Sequence, residues 1–241
     1  IHKLGRSPRS SARDIDASLW REHLRHEGPI CNPSLLTPQS NNSMPEYGDQ
    51  SYWDERYSRN PDDAFEWLQS WKALKPLLDL STDAEILNVG CGNAPLVQDM
   101  YDDGYRNITS IDTSPVVIQQ QTMKHADKEE VEFSIMDATA LEFPDECFDT
   151  VLDKSTMDAV LCGKSGSEGA TEMVREAFRV LKSGGTYVVV SYGVPQARLY
   201  LLRTQAWDVQ YTTLGKEKGP DEDGDRAGVH YVYICRKAKP Q

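Results

Sequence analysis

From residue 85 onward, short apolar runs alternate with longer stretches in which apolar residues recur at helical spacing. Runs of four to six residues bounded by turn residues suit strands buried on both faces, as a parallel sheet requires. The pattern predicts strands over 85–89, 107–111, 131–136, 147–152 and 186–191, and helices over 95–102, 115–125 and 168–181. Ser183-Gly-Gly185 reads as the turn that ends the last of these helices and starts the next strand. Beyond Tyr192 the order breaks, and 207–214 and 230–235 read as two strands joined by a Gly- and Asp-rich loop over 215–228. The expected fold is therefore α/β, a doubly wound and mostly parallel seven-stranded sheet with an antiparallel C-terminal edge.

Upstream the pattern is weaker. Residues 1–44 are rich in Ser, Pro, Arg and Asn and hold only one short helical stretch, over 15–24, so they read as a poorly ordered extension to a single domain over 45–241. The chain opens on Ile rather than Met, and Met44 is a candidate opening of the compact domain. From Tyr47 the composition changes: Tyr52, Trp53, Tyr57, Phe65, Trp67 and Trp71 crowd into one segment. Trp53 and Tyr57 stand four apart, on one face of a helix. Aromatics at that spacing usually pack into a core, but a polar-tipped ring can also roof a ligand. A second helix is expected over 65–78.

Composition narrows the classes. The longest purely apolar runs, such as Val188-Val-Val190, fall far short of the roughly 18 residues of a membrane helix, so a soluble protein is expected. Five scattered cysteines without a C-x-x-C pair indicate neither a zinc site nor a disulfide framework, and suit a reducing, intracellular setting. The first thirteen residues, Arg-rich and free of acids, loosely resemble a transit peptide for mitochondrial import. Asp14, Asp16, Glu22 and Glu27 soon interrupt that pattern, and a cytoplasmic location is expected. The net charge is −12; residues 1–44 carry six Lys or Arg against four Asp or Glu, which leaves −14 on the rest. Such a body repels nucleic-acid phosphates and attracts a basic protein surface, although an acidic surface also simply favours solubility.

The candidate chemistry gathers at the predicted strand ends, where parallel sheets bind ligands. Ile86-Leu-Asn-Val-Gly-Cys-Gly-Asn-Ala-Pro-Leu96 reads as strand, tight turn and helix start. Gly90 and Gly92 let the backbone approach a ligand, and Asp112, 20 residues after Gly92, suits the hydroxyls of a ribose. A dinucleotide fingerprint requires a third glycine where this chain has Pro95, which disfavours NAD. Alone, Gly-x-Gly is also compatible with a ligand-free turn. Met136-Asp137-Ala138 offers a carboxylate and a backbone N–H to an adenine, though Asp137 also suits a cap or turn. Asp153-Lys-Ser-Thr-Met-Asp158 lies at the expected mouth of the cleft, where Asp153 and Lys154 are either a surface ion pair or part of the reacting site.

Three motifs carry a resemblance: Tyr52-Trp-x-x-x-Tyr57 with Phe65-Glu-Trp67, Val89-Gly-Cys-Gly-Asn93, and Leu152-Asp-Lys-Ser-Thr-Met-Asp-Ala159. From about Tyr47 to Cys235 the chain resembles the class I, seven-strand methyltransferases that use S-adenosylmethionine. Within them it is similar to the methyltransferase-like proteins that modify lysines of translation elongation factor one-alpha. The family usually has glycine at the position of Ser155. The resemblance implies that Gly90 and Gly92 border the methionine moiety, that Asp112 and Thr113 take the ribose, and that Met136, Asp137 and Ala138 surround the adenine. It also implies a roof of Trp53, Tyr57 and Phe65, with Lys154 reaching the cofactor from the fourth strand. No metal is implied. The partner expected is a protein with a basic surface, suspected to be the elongation factor, acted on by a monomer without nucleic acid or membrane. Asp153 or Asp158 is a candidate to orient the acceptor amine, in which case Asn at either position should lower turnover and spare cofactor affinity. A small-molecule methyltransferase and a non-catalytic cofactor-binding partner protein are the alternatives.

Overall fold

The computed structural model describes residues 46–59, 61, 64–215 and 228–239. Seven strands form one sheet in the order β3-β2-β1-β4-β5-β7-β6. They are β1 (Ile86–Val89), β2 (Ile108–Asp112), β3 (Val131–Ile135), β4 (Phe148–Lys154), β5 (Leu181–Ser191), β6 (Trp207–Gly215) and β7 (Val229–Lys237). The first five pair in parallel, while β7 runs antiparallel to both β5 and β6.

Side chains alternate across the sheet, so each strand feeds two cores. On one face Leu87, Val89, Val151, Tyr187, Val189 and Tyr233 meet Ala170, Met173, Val174, Ala177 and Val180. Those five residues recur every three or four positions along one helix, Gly166–Val180, and form its buried stripe. On the other face Ile86, Ile108, Leu152, Val188 and Val190 pack against Leu96, Val97 and Met100 of the helix Leu96–Asp102, and against Trp71 and Leu74. Helices on both faces of a parallel sheet make the fold doubly wound, and strand order reverses between β1 and β4, which opens the crevice at their carboxyl ends.

The helices in chain order are α1 (Gln50–Arg59), α2 (Trp71–Leu74), α3 (Leu96–Asp102), α4 (Pro115–Lys124), α5 (Thr156–Cys162), α6 (Gly166–Val180) and α7 (Pro195–Leu202). Several expectations need correction. No helix covers 65–70: Leu68 takes the left-handed conformation at φ 65°, and only the short α2 and a 3-10 turn, Lys75–Leu77, follow. Pro76 lies in that 3-10 turn, where it cannot donate to a continuing helical ladder. Ser183-Gly-Gly185 is no separate turn but a bulge within β5, since Leu181 pairs with Phe148 whereas Thr186 pairs with Thr150. β4 continues to Lys154, so Asp153 and Lys154 are strand residues. Helices α5 and α7 are not legible in the sequence as separate periods. The expected extension over 1–44, its helix over 15–24, and most of the 215–228 loop lie outside the described residues.

Candidate functional site

The carboxyl end of β1 turns through Gly90 and Gly92, both left-handed at φ 61° and 52°. A Cβ on Gly90 would lie 2.1 Å from Thr156 Oγ1, and one on Gly92 would come within 3.0 Å of the Tyr57 hydroxyl. Both the conformation and the close approach call for glycine. Thr156 Oγ1 donates to the Val89 carbonyl at 2.8 Å, which ties the turn to the first residue of α5.

Asp112 ends β2 and is buried. Its Oδ2 accepts from Gly92 N at 3.0 Å and its Oδ1 from Ser114 N at 2.9 Å. A carboxylate oxygen has two lone pairs, so each still has capacity for one further donor, such as the two hydroxyls of a ribose. Burial raises the pKa of Asp112 above the usual carboxylate value, while the N–H groups of Ser114 and Gly92 pull it down. Ser114 caps α4, whose first residue is Pro115, and its hydroxyl donates to Asp54 of α1. Gln120 Nε2 of α4 donates to the Tyr57 carbonyl at 3.0 Å. These two bonds clamp α1 to the helix that follows Asp112.

On α1, Trp53 stacks on Tyr57 with centroids 5.9 Å apart, and Trp53 Nε1 donates to the Tyr47 carbonyl at 2.7 Å. Tyr57 is buried, and burial together with the Asp112 charge raises its hydroxyl pKa. Phe65 remains 40% exposed and meets Trp67 edge-on at 4.8 Å, with the Arg56 guanidinium 5.1 Å from the Phe65 ring centre. Beyond β3, Asp137 Oδ1 accepts from both Thr139 N and Thr139 Oγ1 at 2.8 Å, closing a turn in which Ala138 is buried, Met136 half-buried and Asp137 exposed. Thr113 is exposed between Asp112 and the α4 cap.

At the end of β4, Lys154 Nζ pairs with Glu66 Oε1 and donates to the Trp67 carbonyl at 2.9 Å. Its ammonium is therefore directed to the 65–70 segment. Ser155 then adopts φ 74°, a left-handed conformation that suits the glycine usual in the resembling family.

The candidate catalytic carboxylates, Asp153 and Asp158, are both buried and hydrogen-bonded. Asp153 is 1% exposed: Oδ1 accepts from Thr156 N at 2.9 Å and Met157 N at 3.2 Å, and Oδ2 from the Tyr187 hydroxyl at 2.9 Å. Burial pushes its pKa up to about 7. Asp158 is 2% exposed and binds Ser191 Oγ, Tyr192 N at 3.0 Å, and Arg198 Nη2 at 2.7 Å. A general base must present a lone pair to its substrate; Asp153 Oδ2 accepts from Tyr187 and Asp158 Oδ2 from Tyr192 N, so both carboxylates hold local structure. Asp153 caps α5, and Asp158 holds the turn after β5. Sequence reasoning misses Gln69, Ser191 and Arg198, which carry no local motif; Glu66 stands inside the quoted Phe65-Glu-Trp67.

Among the described residues, no group of three or more His, Cys, Asp or Glu side chains is placed to hold a metal, and no helix is long and apolar enough to cross a membrane.

A family profile described as "Methyltransferase domain" matches residues 87–189. Among curated proteins, "EEF1A lysine methyltransferase 4" of Mus musculus is 33% identical over 86% of this chain and 84% of its own length. The human "eEF1A lysine and N-terminal methyltransferase" is 37% identical over 65% of this chain, which spans only 23% of that longer protein. Among solved structures, the 1,6-didemethyltoxoflavin-N1-methyltransferase of Burkholderia thailandensis, solved with S-adenosylhomocysteine, aligns with a TM-score of 0.55 at 18% identity, over 84% of this chain and 94% of its own. The [4+2]-cyclase SpnF aligns at 0.58 and 18% identity, over 81% and 97%. A cyclase on the same scaffold shows that this fold alone does not determine the reaction.

Proposed function

The chain belongs to the S-adenosylmethionine-dependent methyltransferases, with S-adenosyl-L-methionine as cofactor, and we propose that it methylates a lysine side chain of a protein, namely elongation factor eEF1A. For the cofactor, the carrying observation is Asp112, a buried carboxylate whose two oxygens are aligned by Gly92 N and Ser114 N and retain room for two more donors. For the acceptor, support comes from the likeness to the mouse enzyme over most of both chains and from the net charge of −14 over residues 45–241.

In this reading Asp112 and Thr113 hold the ribose, Met136, Asp137 and Ala138 surround the adenine, and Gly90 and Gly92 border the methionyl group. Trp53, Tyr57 and Phe65 roof the crevice, and Lys154 borders its reacting end. When bound, S-adenosylmethionine supplies an electrophilic methyl group on a positively charged sulfur. The protein's part is alignment of the acceptor nitrogen and exclusion of water. A lysine near its reference pKa of about 10.4 must enter unprotonated, and a crevice walled by aromatic rings and the Arg56 cation disfavours the ammonium form. With Asp153 and Asp158 both engaged, the proton leaves to solvent before the amine docks. The domain over 45–241 acts as a monomer in the cytoplasm.

The test is transfer of labelled methyl from S-adenosylmethionine to purified eEF1A, with the modified residue located by mass spectrometry. Label on a lysine is the expected result. Label confined to small metabolites identifies a small-molecule enzyme, and cofactor binding without transfer to any lysate protein identifies a non-catalytic partner protein.

A further inference from the structure

Residues 66–70 are tied to the carboxyl ends of β4 and β6, across the switch point from Asp112. The segment is irregular rather than helical: Leu68 turns it through a left-handed conformation, and Gln69 N donates to the Trp67 carbonyl at 2.8 Å. Two side chains fix it from below. Lys154, the last residue of β4, holds Glu66 and the Trp67 carbonyl. Gln69 is 1% exposed; its Nε2 donates to the carbonyl of Gly215, the last residue of β6, at 2.7 Å, and lies 2.9 Å from Nδ1 of His230 at the start of β7. An amide nitrogen has only hydrogens to offer, so His230 Nδ1 accepts the second one. The His230 ring in turn meets Tyr192, the residue after β5, edge-on at 4.9 Å.

These side-chain hydrogen bonds and the ion pair therefore lie at the carboxyl ends of β4 and β6 and at the start of β7 beside them. That is the opposite side of the switch point from Asp112 and Asp137. Ligands in this architecture lie along the carboxyl edge; with the nucleoside over β1, β2 and β3, the acceptor enters over β4 and its outer neighbours. Trp67 joins the two regions, since its ring also lies 5.9 Å from Trp53 of α1.

We infer that residues 66–70 form an acceptor-positioning strap, and that Gln69 and Glu66 are positioning residues that act through Trp67. This rests on the proposed protein acceptor. The two amide hydrogens of buried Gln69 go to the two strands of the C-terminal hairpin, 146 and 161 residues away, so the side chain serves to tie the strap to that hairpin. Neither bond reaches α1, whose hydrogen bonds to Ser114 and Gln120 lie on α4 and its cap.

The test compares wild type with Gln69→Met, which keeps the volume and removes both donors, and with the rim variant Glu66→Gln. Three quantities are measured: amide exchange over 66–70 and 213–215, the dissociation constant of S-adenosylmethionine, and kcat and KM for eEF1A. Gln69→Met should exchange on the order of tenfold faster in both segments, raise the eEF1A KM about tenfold, and change cofactor affinity by less than about threefold. Glu66→Gln should move the same quantities in the same direction by less. A residue that merely stabilised the fold would not separate acceptor KM from cofactor affinity. Equal loss of both, or unchanged exchange in Gln69→Met, overturns the inference. If the wild type methylates no lysine of eEF1A, the proposed function fails, and exchange alone decides the strap.

Discussion

The two halves of the crevice are built in different ways. On the proposed nucleoside side the Gly90–Gly92 turn and the acid that ends the next strand bind each other directly, Gly92 N to Asp112 Oδ2, and α1 is tied to α4 and its cap across about 60 residues. On the acceptor side the ties span the chain. Glu66 reaches Lys154 across 88 residues, Gln69 reaches Gly215 across 146, and Asp158 binds Arg198 across 40. The first half is closed by elements between α1 and α5, whereas the second also needs the C-terminal hairpin. Changes on the acceptor side should therefore disturb stability and acceptor use, and changes on the nucleoside side should disturb cofactor affinity.

The largest effect expected is at Arg198. Its guanidinium is the cation paired with Asp158, in a pocket where both side chains are under 10% exposed. Arg198→Met strands a buried carboxylate and should cost about 3–5 kcal/mol of unfolding free energy in urea titration. A loss below about 1 kcal/mol would mean that water reaches Asp158 and that the turn after β5 is looser than described.

A smaller effect separates Asp153 from a catalytic role. Its folded pKa of about 7 exceeds the reference 3.8, so between about pH 4 and 7 the folded state keeps a proton that the unfolded state releases. Stability drawn from this group is full below about pH 4, falls as pH rises through the window, and is flat above it. Asp153→Asn removes that fall. Its melting temperature should gain on wild type by several degrees, in order of magnitude, between pH 5 and pH 8, while turnover on eEF1A stays within about threefold. A pH-independent difference would mean that its folded pKa is not raised, and loss of turnover with cofactor affinity intact would support Asp153 as the base.

The smallest expected change is a gain. Ser155 sits at φ 74° with a Cβ, which costs roughly 1–2 kcal/mol relative to glycine, and the added freedom of glycine in the unfolded chain offsets part of it. Ser155→Gly should stabilise the protein by about 0.5–1 kcal/mol, read as a shift of the urea midpoint at constant slope.

The same contrast explains what is legible in the sequence. Apolar runs identify the strands because strands such as β1 and β5 are buried on both faces, and the glycine turn with Asp112 is visible because its parts are neighbours in the motif. Nothing local separates segment 65–70 from the helix that follows it at Trp71, while the bonds that fix its course come from Lys154, Gly215 and His230. Asp153 and Asp158 read as candidate bases from their place at the end of β4. Nothing local tells a carboxylate that faces a crevice from one that caps α5 or binds an arginine on α7. Gln69 and Arg198 give no signal, since a lone polar residue in an apolar stretch has no partner within its own window.

The division between the halves is tested most directly by calorimetric titration of S-adenosylmethionine into Asp112→Ala and Gln69→Met side by side with wild type. Loss of a charged acceptor is worth about 1.5–3 kcal/mol, so Asp112→Ala should bind roughly 10- to 150-fold more weakly, while Gln69→Met should stay within about threefold of wild type. Equal weakening in both variants, or wild-type affinity in Asp112→Ala, would contradict the account.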